Sequence, residues 1–102
     1  MLNLKPGCEN CNVDLPPDSD AAMICSFECT FCRDCVEGVL NNVCPNCGGG
    51  FERRPQRVTT AWRAGVSLTE APASEERVYD PVDPTEHAAF ARAIQDIPPA
   101  LR

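Results

Sequence analysis

Residues 25–35 read CSFECTFCRDC and hold four of the chain's eight cysteines. One C-x2-C pair precedes this stretch and another follows it, and the full set is Cys8, Cys11, Cys25, Cys29, Cys32, Cys35, Cys44 and Cys47. A C-x2-C step turns the backbone tightly enough for two sulfurs to face one ion, and a tetrahedral site needs four soft donors. The pattern therefore predicts two tetrathiolate metal sites.

The gaps between the cysteines indicate which of them share an ion. In a sequential arrangement, the eight residues between Cys35 and Cys44 would have to form the whole second module, which is short for a hairpin and a helix. We therefore predict interleaved sites, in which each loop spans both ions. The first set is Cys8, Cys11, Cys32 and Cys35, and the second is Cys25, Cys29, Cys44 and Cys47.

Disulfides are the alternative for a small cysteine-rich chain. Residues 1–7 have no apolar run of signal-peptide length, and no later stretch approaches the roughly 18 apolar residues of a membrane span. We therefore expect a cytoplasmic protein with no membrane partner, in a compartment where thiols stay reduced. A unit of about 50 residues buries too little apolar surface to be stable alone, so two zinc ions would contribute much of its folding free energy.

The spacing from Cys8 to Cys47 resembles the RING-type cross-brace zinc domain, with Cys29 where that family often has histidine. The final Cys44-Pro45-Asn46-Cys47 is similar to that family's C-P-x-C. More narrowly, residues 23–35 resemble a family of small bacterial cysteine-rich proteins, domain of unknown function 1272, over about residues 1–55. The resemblance implies a bacterial origin and a small metal-stabilised α+β fold of RING-like or treble-clef-like type, and it implies no activity.

A cysteine pattern of this kind can also indicate a ubiquitin ligase or an iron site. Ubiquitin-ligase RING domains usually carry a large aliphatic residue in the first knuckle, where this chain has Glu9 and Asn10, so we do not infer that activity. Cys44-Pro45-Asn46-Cys47-Gly48 also resembles half of a rubredoxin iron site. Thiolate tetrads alone do not separate zinc from iron.

Apolar residues place short elements around the cysteines. Residues 21–24 predict a strand, and Phe27 and Phe31 are expected to fill the space between the two sites. Apolar residues recur at helical spacing from Val36 to Val43, which predicts a helix that leaves the Cys32/Cys35 knuckle and ends near Asn41-Asn42. Asn12 and Gly48 each follow a knuckle and tolerate the positive φ that closes it.

The charge of the chain disfavours nucleic acid. The formal net charge is -6, and eight thiolates on two divalent ions would lower it by four more. Only residues 51–66 are basic, with Arg53, Arg54, Arg57 and Arg63. We interpret these arginines as a solvated linker, with a small nucleic-acid or acidic-protein contact as the alternative.

We predict a zinc-binding domain at 1–55, a linker at 56–82 and a short amphipathic helix at 83–98, in a largely disordered tail. Asp83-Pro84-Thr85-Glu86 is a helix start, and Phe90, Ile94 and Ile97 would form one face that docks on the zinc unit or on a partner. The lone histidine, His87, is expected to be solvated.

Catalysis finds no support in the sequence, because all eight thiols are used as ligands. The sequence favours a non-enzymatic module that binds a protein partner. The alternative is a thiol-based redox or metal sensor, followed by a nucleic-acid-binding regulator or a ligase-like RING.

Overall fold

A three-stranded antiparallel sheet organises the N-terminal unit in the computed structural model, which describes all 102 residues. β1 (Ala22–Ile24) lies in the middle, flanked by β2 (Thr30–Cys32) and β3 (Glu52–Arg53). Met23 pairs with Phe31 on one side and with Arg53 on the other. The strand predicted at 21–24 is therefore confirmed.

The helical segment begins as soon as β2 ends. α1 (Arg33–Cys35) has Cys32 as its N-cap and continues as a single π-helical turn, Val36–Leu40. Asn41 and Asn42 then adopt left-handed backbone conformations, with φ of 51° and 55°, and end the helix. The predicted helix end is therefore confirmed, and its cause is that asparagine tolerates this conformation better than most residues.

The centre of the core is an aromatic pair. Phe31 and Phe51 pack edge to face, with ring centroids 5.4 Å apart and an interplanar angle of 79°. Phe27, which we expected beside Phe31, is 75% exposed, so that prediction is wrong. Phe27 lies in the turn between Cys25, which is buried, and Cys29, which is half-buried. The residues between these cysteines therefore point away from the core, and Glu28 in this turn has a φ of 64°. Phe51, which immediately precedes β3, occupies the space instead.

Arg54 closes the first loop of the chain onto the sheet. Its side chain is 1% exposed and donates hydrogen bonds to the carbonyl oxygens of Lys5 (2.8 Å), Leu15 (3.1 Å) and Pro16 (3.0 Å). Burial lowers the pKa of this guanidinium from its ordinary value. Arg54 forms no ion pair with a carboxylate. The interpretation of the arginine cluster as a solvated linker is therefore wrong for Arg54, which is buried.

The segment 56–82 contains no helix or strand, yet it runs along the N-terminal unit and is hydrogen-bonded to it. The bonds pair Arg57 with Leu2, Ser74 with Leu4, Arg77 with Asn12, and Asp80 with Glu9. Arg77 also forms an ion pair with Asp14 at 2.9 Å. The expected largely disordered tail is therefore corrected to an extended, attached one, while the domain boundaries themselves stay a prediction.

The C-terminal helix starts where the sequence predicts. In α2 (Pro84–Ala91), the Asp83 carboxylate accepts from the N–H groups of Thr85 (2.9 Å) and Glu86 (3.0 Å), and proline occupies the first turn. The helix ends earlier than expected. Beyond Ala91 the N–H groups of Ile94 and Ile97 bond three residues back, so residues 92–97 form turns rather than α-helix.

The buried face of α2 is not the predicted stripe. Phe90 is 46% exposed, Ile97 is 38% exposed and Ile94 is half-buried, whereas Ala91 is fully buried and His87 is only 4% exposed. The His87 ring donates from Nε2 to the carbonyl oxygen of Leu40 at 2.8 Å, so the expectation of a solvated histidine is wrong too. Because the small Ala91 allows close approach, the helix packs on the Val36–Leu40 turn. The tail thus folds back on its own domain.

No helix of the protein has the length and apolar character needed to cross a membrane.

Replacing Arg54 tests the loop closure. Arg54→Met should lower the free energy of unfolding by about 3 kcal/mol or more, because charge-assisted hydrogen bonds contribute roughly 1.5–3 kcal/mol each and buried carbonyls would be left unpaired. Thermal unfolding followed by circular dichroism measures the change. Arg63→Met is the matched control, since Arg63 is exposed. Equal melting temperatures for the two variants would show that the carbonyl contacts contribute nothing.

A second pair of variants tests the docking of α2. Ala91→Glu places a carboxylate in a fully buried position and should destabilise the docked helix by about 1–3 kcal/mol or detach it. Ala89→Glu carries the same change on the exposed face and should be neutral. Backbone chemical shifts of residues 84–91 report the outcome. Helical shifts that persist in Ala91→Glu, at unchanged melting temperature, contradict the docked arrangement.

Candidate metal centre

Four sulfurs from distant parts of the chain meet in the first cluster. The Sγ atoms of Cys8, Cys11, Cys32 and Cys35 all lie within 4.8 Å of one another, and those of Cys11 and Cys32 are 3.7 Å apart. Tetrahedral bonds of about 2.3 Å to one ion would place sulfurs about 3.8 Å apart. The first cluster therefore has the dimensions of a tetrathiolate site.

The second cluster contains Cys25, Cys44 and Cys47, whose Sγ atoms also lie within 4.8 Å of one another. Cys29 adjoins Cys25 and Cys44 but does not converge with all three. The β1–β2 hairpin supplies Cys25 and Cys29, and the last knuckle, Cys44/Cys47, supplies the other two. The interleaved grouping predicted from the gaps is the one that the structure shows.

The local backbone explains why each knuckle presents its sulfurs inward. Asn12, at φ 65°, donates its N–H to the Cys8 carbonyl at 2.9 Å, and Gly48, at φ 78°, donates to the Cys44 carbonyl at 2.8 Å. Both positive φ values agree with the prediction. Backbone N–H groups also point at sulfur, from Cys35 to Cys32 Sγ at 3.4 Å and from Gly49 to Cys47 Sγ at 3.4 Å.

Two asparagine side chains donate to the sulfurs as well. Asn10 Nδ2 lies 3.2 Å from Cys35 Sγ, and Asn46 Nδ2 lies 3.4 Å from Cys29 Sγ. Both residues occupy the third position of a Cys-x-Asn-Cys knuckle, and each reaches a cysteine of the partner pair in its own cluster. Sequence reasoning missed this role, although the repeated Cys-x-Asn-Cys was a visible signal for it.

The surroundings of the cysteines favour the neutral thiol at four positions and the ionised thiolate at one. Burial raises the pKa of Cys35 and Cys44 strongly, and it raises the pKa of Cys29 and Cys32 as well. At Cys8, burial acts in the same direction, but backbone hydrogen bonds from Cys11, Cys32 and Asn10 together outweigh it, so the pKa is lowered. Packed thiols with raised pKa values ionise together only when a cation compensates them.

All eight cysteines are free thiols, so no disulfide framework holds this fold. Six of them are buried or half-buried, while Cys11 in the first cluster and Cys47 in the second are exposed. The eight residues predicted as ligands thus come together in two clusters that could hold metal ions. Each cluster has one exposed cysteine residue.

Comparison with known proteins identifies the family of this chain. Residues 1–57 match the family model described as "Protein of unknown function (DUF1272)". The chain is 53% identical over 81 residues to "Uncharacterized protein R02474" of Rhizobium meliloti (strain 1021), covering 79% of this chain and 89% of that protein. No solved structure matches the chain. The cysteine clusters fall within the matched residues, and the chain belongs to the DUF1272 family.

Proposed function

We propose that the protein binds two zinc ions in a RING-like cross-brace and acts as a non-enzymatic module for protein interaction. The observation that carries this proposal is the convergence of Cys8, Cys11, Cys32 and Cys35 with tetrahedral sulfur spacing. Zinc suits four thiolates without a redox change, and a closed tetrathiolate set is typical of structural rather than catalytic sites. Cys25, Cys29, Cys44 and Cys47 would hold the second ion after a small movement of Cys29.

Several features support a structural role for the ions. Five of the eleven residues in the apolar core cluster are cysteines, so the core is built around the sulfurs. Each proposed ion would be held by two chain segments far apart in sequence. Removing an ion would therefore separate the first knuckle from β2, or the last knuckle from the hairpin.

The sites offer no open coordination position for a substrate, since four protein ligands complete a tetrahedral ion. In the first knuckle, Glu9 bonds to Lys5 and Thr30, and Asn10 bonds to Cys35 and Val82. Both side chains thus form hydrogen bonds within the fold. They occupy the positions at which ligase-type RING domains carry a docking residue. This supports an interaction module rather than a ligase.

One observation favours a sensor as the second candidate. Cys11 and Cys47 are exposed, and an exposed thiolate in each cluster is where an oxidant would react first. The closed sets of four cysteines oppose this reading, because a complete tetrathiolate site is typical of zinc that holds a fold together. The interaction module is therefore the function that we propose.

The metal content tests the proposal directly. Purified protein should hold two zinc ions per chain, and Cys32→Ser and Cys44→Ser should each retain one. Strong chelator should unfold the N-terminal unit, because structural zinc contributes roughly 10–16 kcal/mol of folding free energy in small domains. Elemental analysis by mass spectrometry gives the stoichiometry. A single ion in the intact chain, or an iron chromophore in fresh protein, overturns the assignment.

The asparagine donors generate a further prediction. Asn46→Ala should lower zinc affinity at the second site by about 10–100-fold, as loss of partners to metal ligands commonly does. Asn46 is the cleaner choice, because Asn10 also accepts a hydrogen bond from the Val82 N–H. Competition with a chromogenic chelator measures the affinity. Asn3→Ala is the control, since Asn3 is exposed and forms hydrogen bonds only through its own backbone N–H and carbonyl groups.

Mild peroxide then separates the two candidate functions. A structural site retains its zinc in the intact protein, and Asn46→Ala releases it faster. Rapid zinc release from the intact protein, at the same rate as from Asn46→Ala, would favour the sensor.

A further inference from the structure

A concave pocket lies between the two outer knuckles and the C-terminal tail. Its cavity volume is about 300 Å³. The first knuckle contributes Glu9, the last contributes Pro45 and Asn46, and the tail contributes residues 80–83 together with Glu86, His87 and Phe90. Three segments far apart in sequence thus meet at one opening, and two of the three belong to the cysteine clusters.

The charge of the pocket has one sign. Its ionisable lining groups include four carboxylates, those of Glu9, Asp80, Asp83 and Glu86, and no lysine or arginine. Glu9 is paired with Lys5 at 3.2 Å, and Asp83 caps α2. The carboxylates of Asp80 and Glu86 accept no hydrogen bond and form no ion pair within the chain. Two uncompensated negative charges therefore remain at the opening.

His87 provides a second and independent indication of a ligand. The Leu40 carbonyl can only accept, so His87 Nε2 carries the hydrogen in this bond, and in the neutral ring Nδ1 is an acceptor. Nδ1 has no partner within the protein, although the residue is 4% exposed and lines the pocket. No fully buried polar side-chain atom of the protein lacks a partner, so Nδ1 is in contact with solvent. In the neutral ring, Nδ1 can accept a hydrogen bond from an N–H donor that enters the pocket.

The pocket groups are not arranged as a preformed site for a single metal ion. The groups of three or more ligand atoms that converge within 4.8 Å are the two cysteine clusters, and none includes His87 or a pocket carboxylate. Separated acceptors suit a longer organic cation with several N–H donors. The exposed aromatic ring of Phe90 lines the same pocket and can stabilise such a cation through its face.

We propose that this pocket binds the side-chain cation of a lysine or arginine from a partner polypeptide. The inference rests on the proposed function as an interaction module and names the chemistry of its partner. The volume is at the lower limit of ligand pockets, roughly 300–1,000 Å³, and suits one long side chain rather than a larger ligand. Phe90 is 46% exposed at the rim, where it can contact the partner's backbone beside the inserted side chain.

The experiment uses the full metal-loaded chain. N-acetyl-lysine methylamide, the arginine analogue and the uncharged norleucine analogue are titrated separately, and nitrogen-15 chemical shifts are followed. The two cationic probes should shift residues 80–90 and Glu9 saturably, and norleucine should not. Lysine-containing and norleucine-containing pentapeptides, together with free n-butylamine, then distinguish a polypeptide from a free amine.

Matched variants identify the pocket as the site. Asp80→Asn with Glu86→Gln should weaken binding of the lysine probe by about five-fold or more, the effect of two exposed charge pairs. Glu75→Gln with Glu76→Gln removes the same charge from exposed tail positions outside the pocket and should leave binding within about two-fold.

The outcomes separate the two proposals because zinc content is measured on the same samples. Two-zinc protein that binds norleucine as well as lysine, that responds equally to both double variants, or that shows no saturable shift overturns the pocket. Binding of n-butylamine that equals that of the lysine pentapeptide overturns the polypeptide partner. Absence of zinc overturns the proposed function instead.

Discussion

The structure depends on the convergence of sulfur atoms from separate segments into two tight clusters. Burial raises the pKa of most of these thiols, so they do not ionise together without a cation. A divalent ion in each cluster would remove that penalty and join segments that are far apart in sequence. Five of the eleven residues in the small apolar core are cysteines, so the packing of Phe31 on Phe51 completes an arrangement that the sulfurs organise.

Arginines supply a second kind of connection, and they act on backbone carbonyls rather than on carboxylates. Arg54, Arg57 and Arg102 each donate to main-chain oxygens of a segment at least 38 residues away in sequence. A planar guanidinium with several donors can satisfy carbonyls that no strand or helix would pair. This is how a chain with little regular secondary structure keeps its long loops and its C-terminus attached.

Hydrogen bonds connect the tail to the first cysteine cluster. The Val82 N–H donates to Asn10 at 2.9 Å, and Asn10 donates in turn to Cys35 Sγ. A few residues on, His87 contacts the Leu40 carbonyl at the end of the π-helical turn. The tail thus completes the surroundings of the first cluster and, through the same contacts, forms one wall of the acidic pocket. A partner bound in that pocket would touch the residues that support the sulfurs.

The sequence by itself determined the pairing of cysteines, because ligand spacing limits which sulfurs can share an ion. It also located β1, the helix end at Asn41-Asn42 and the start of α2, since each depends on local backbone preference. Tertiary structure alone decided which side chains are buried. Phe27 is exposed and Phe51 takes its place, Arg54 enters the interior, and α2 docks through His87 and Ala91 instead of its largest apolar residues. These outcomes depend on the shape and the unpaired carbonyl groups of segments distant in sequence. The pattern of apolar residues within one segment carries no information about those distant groups.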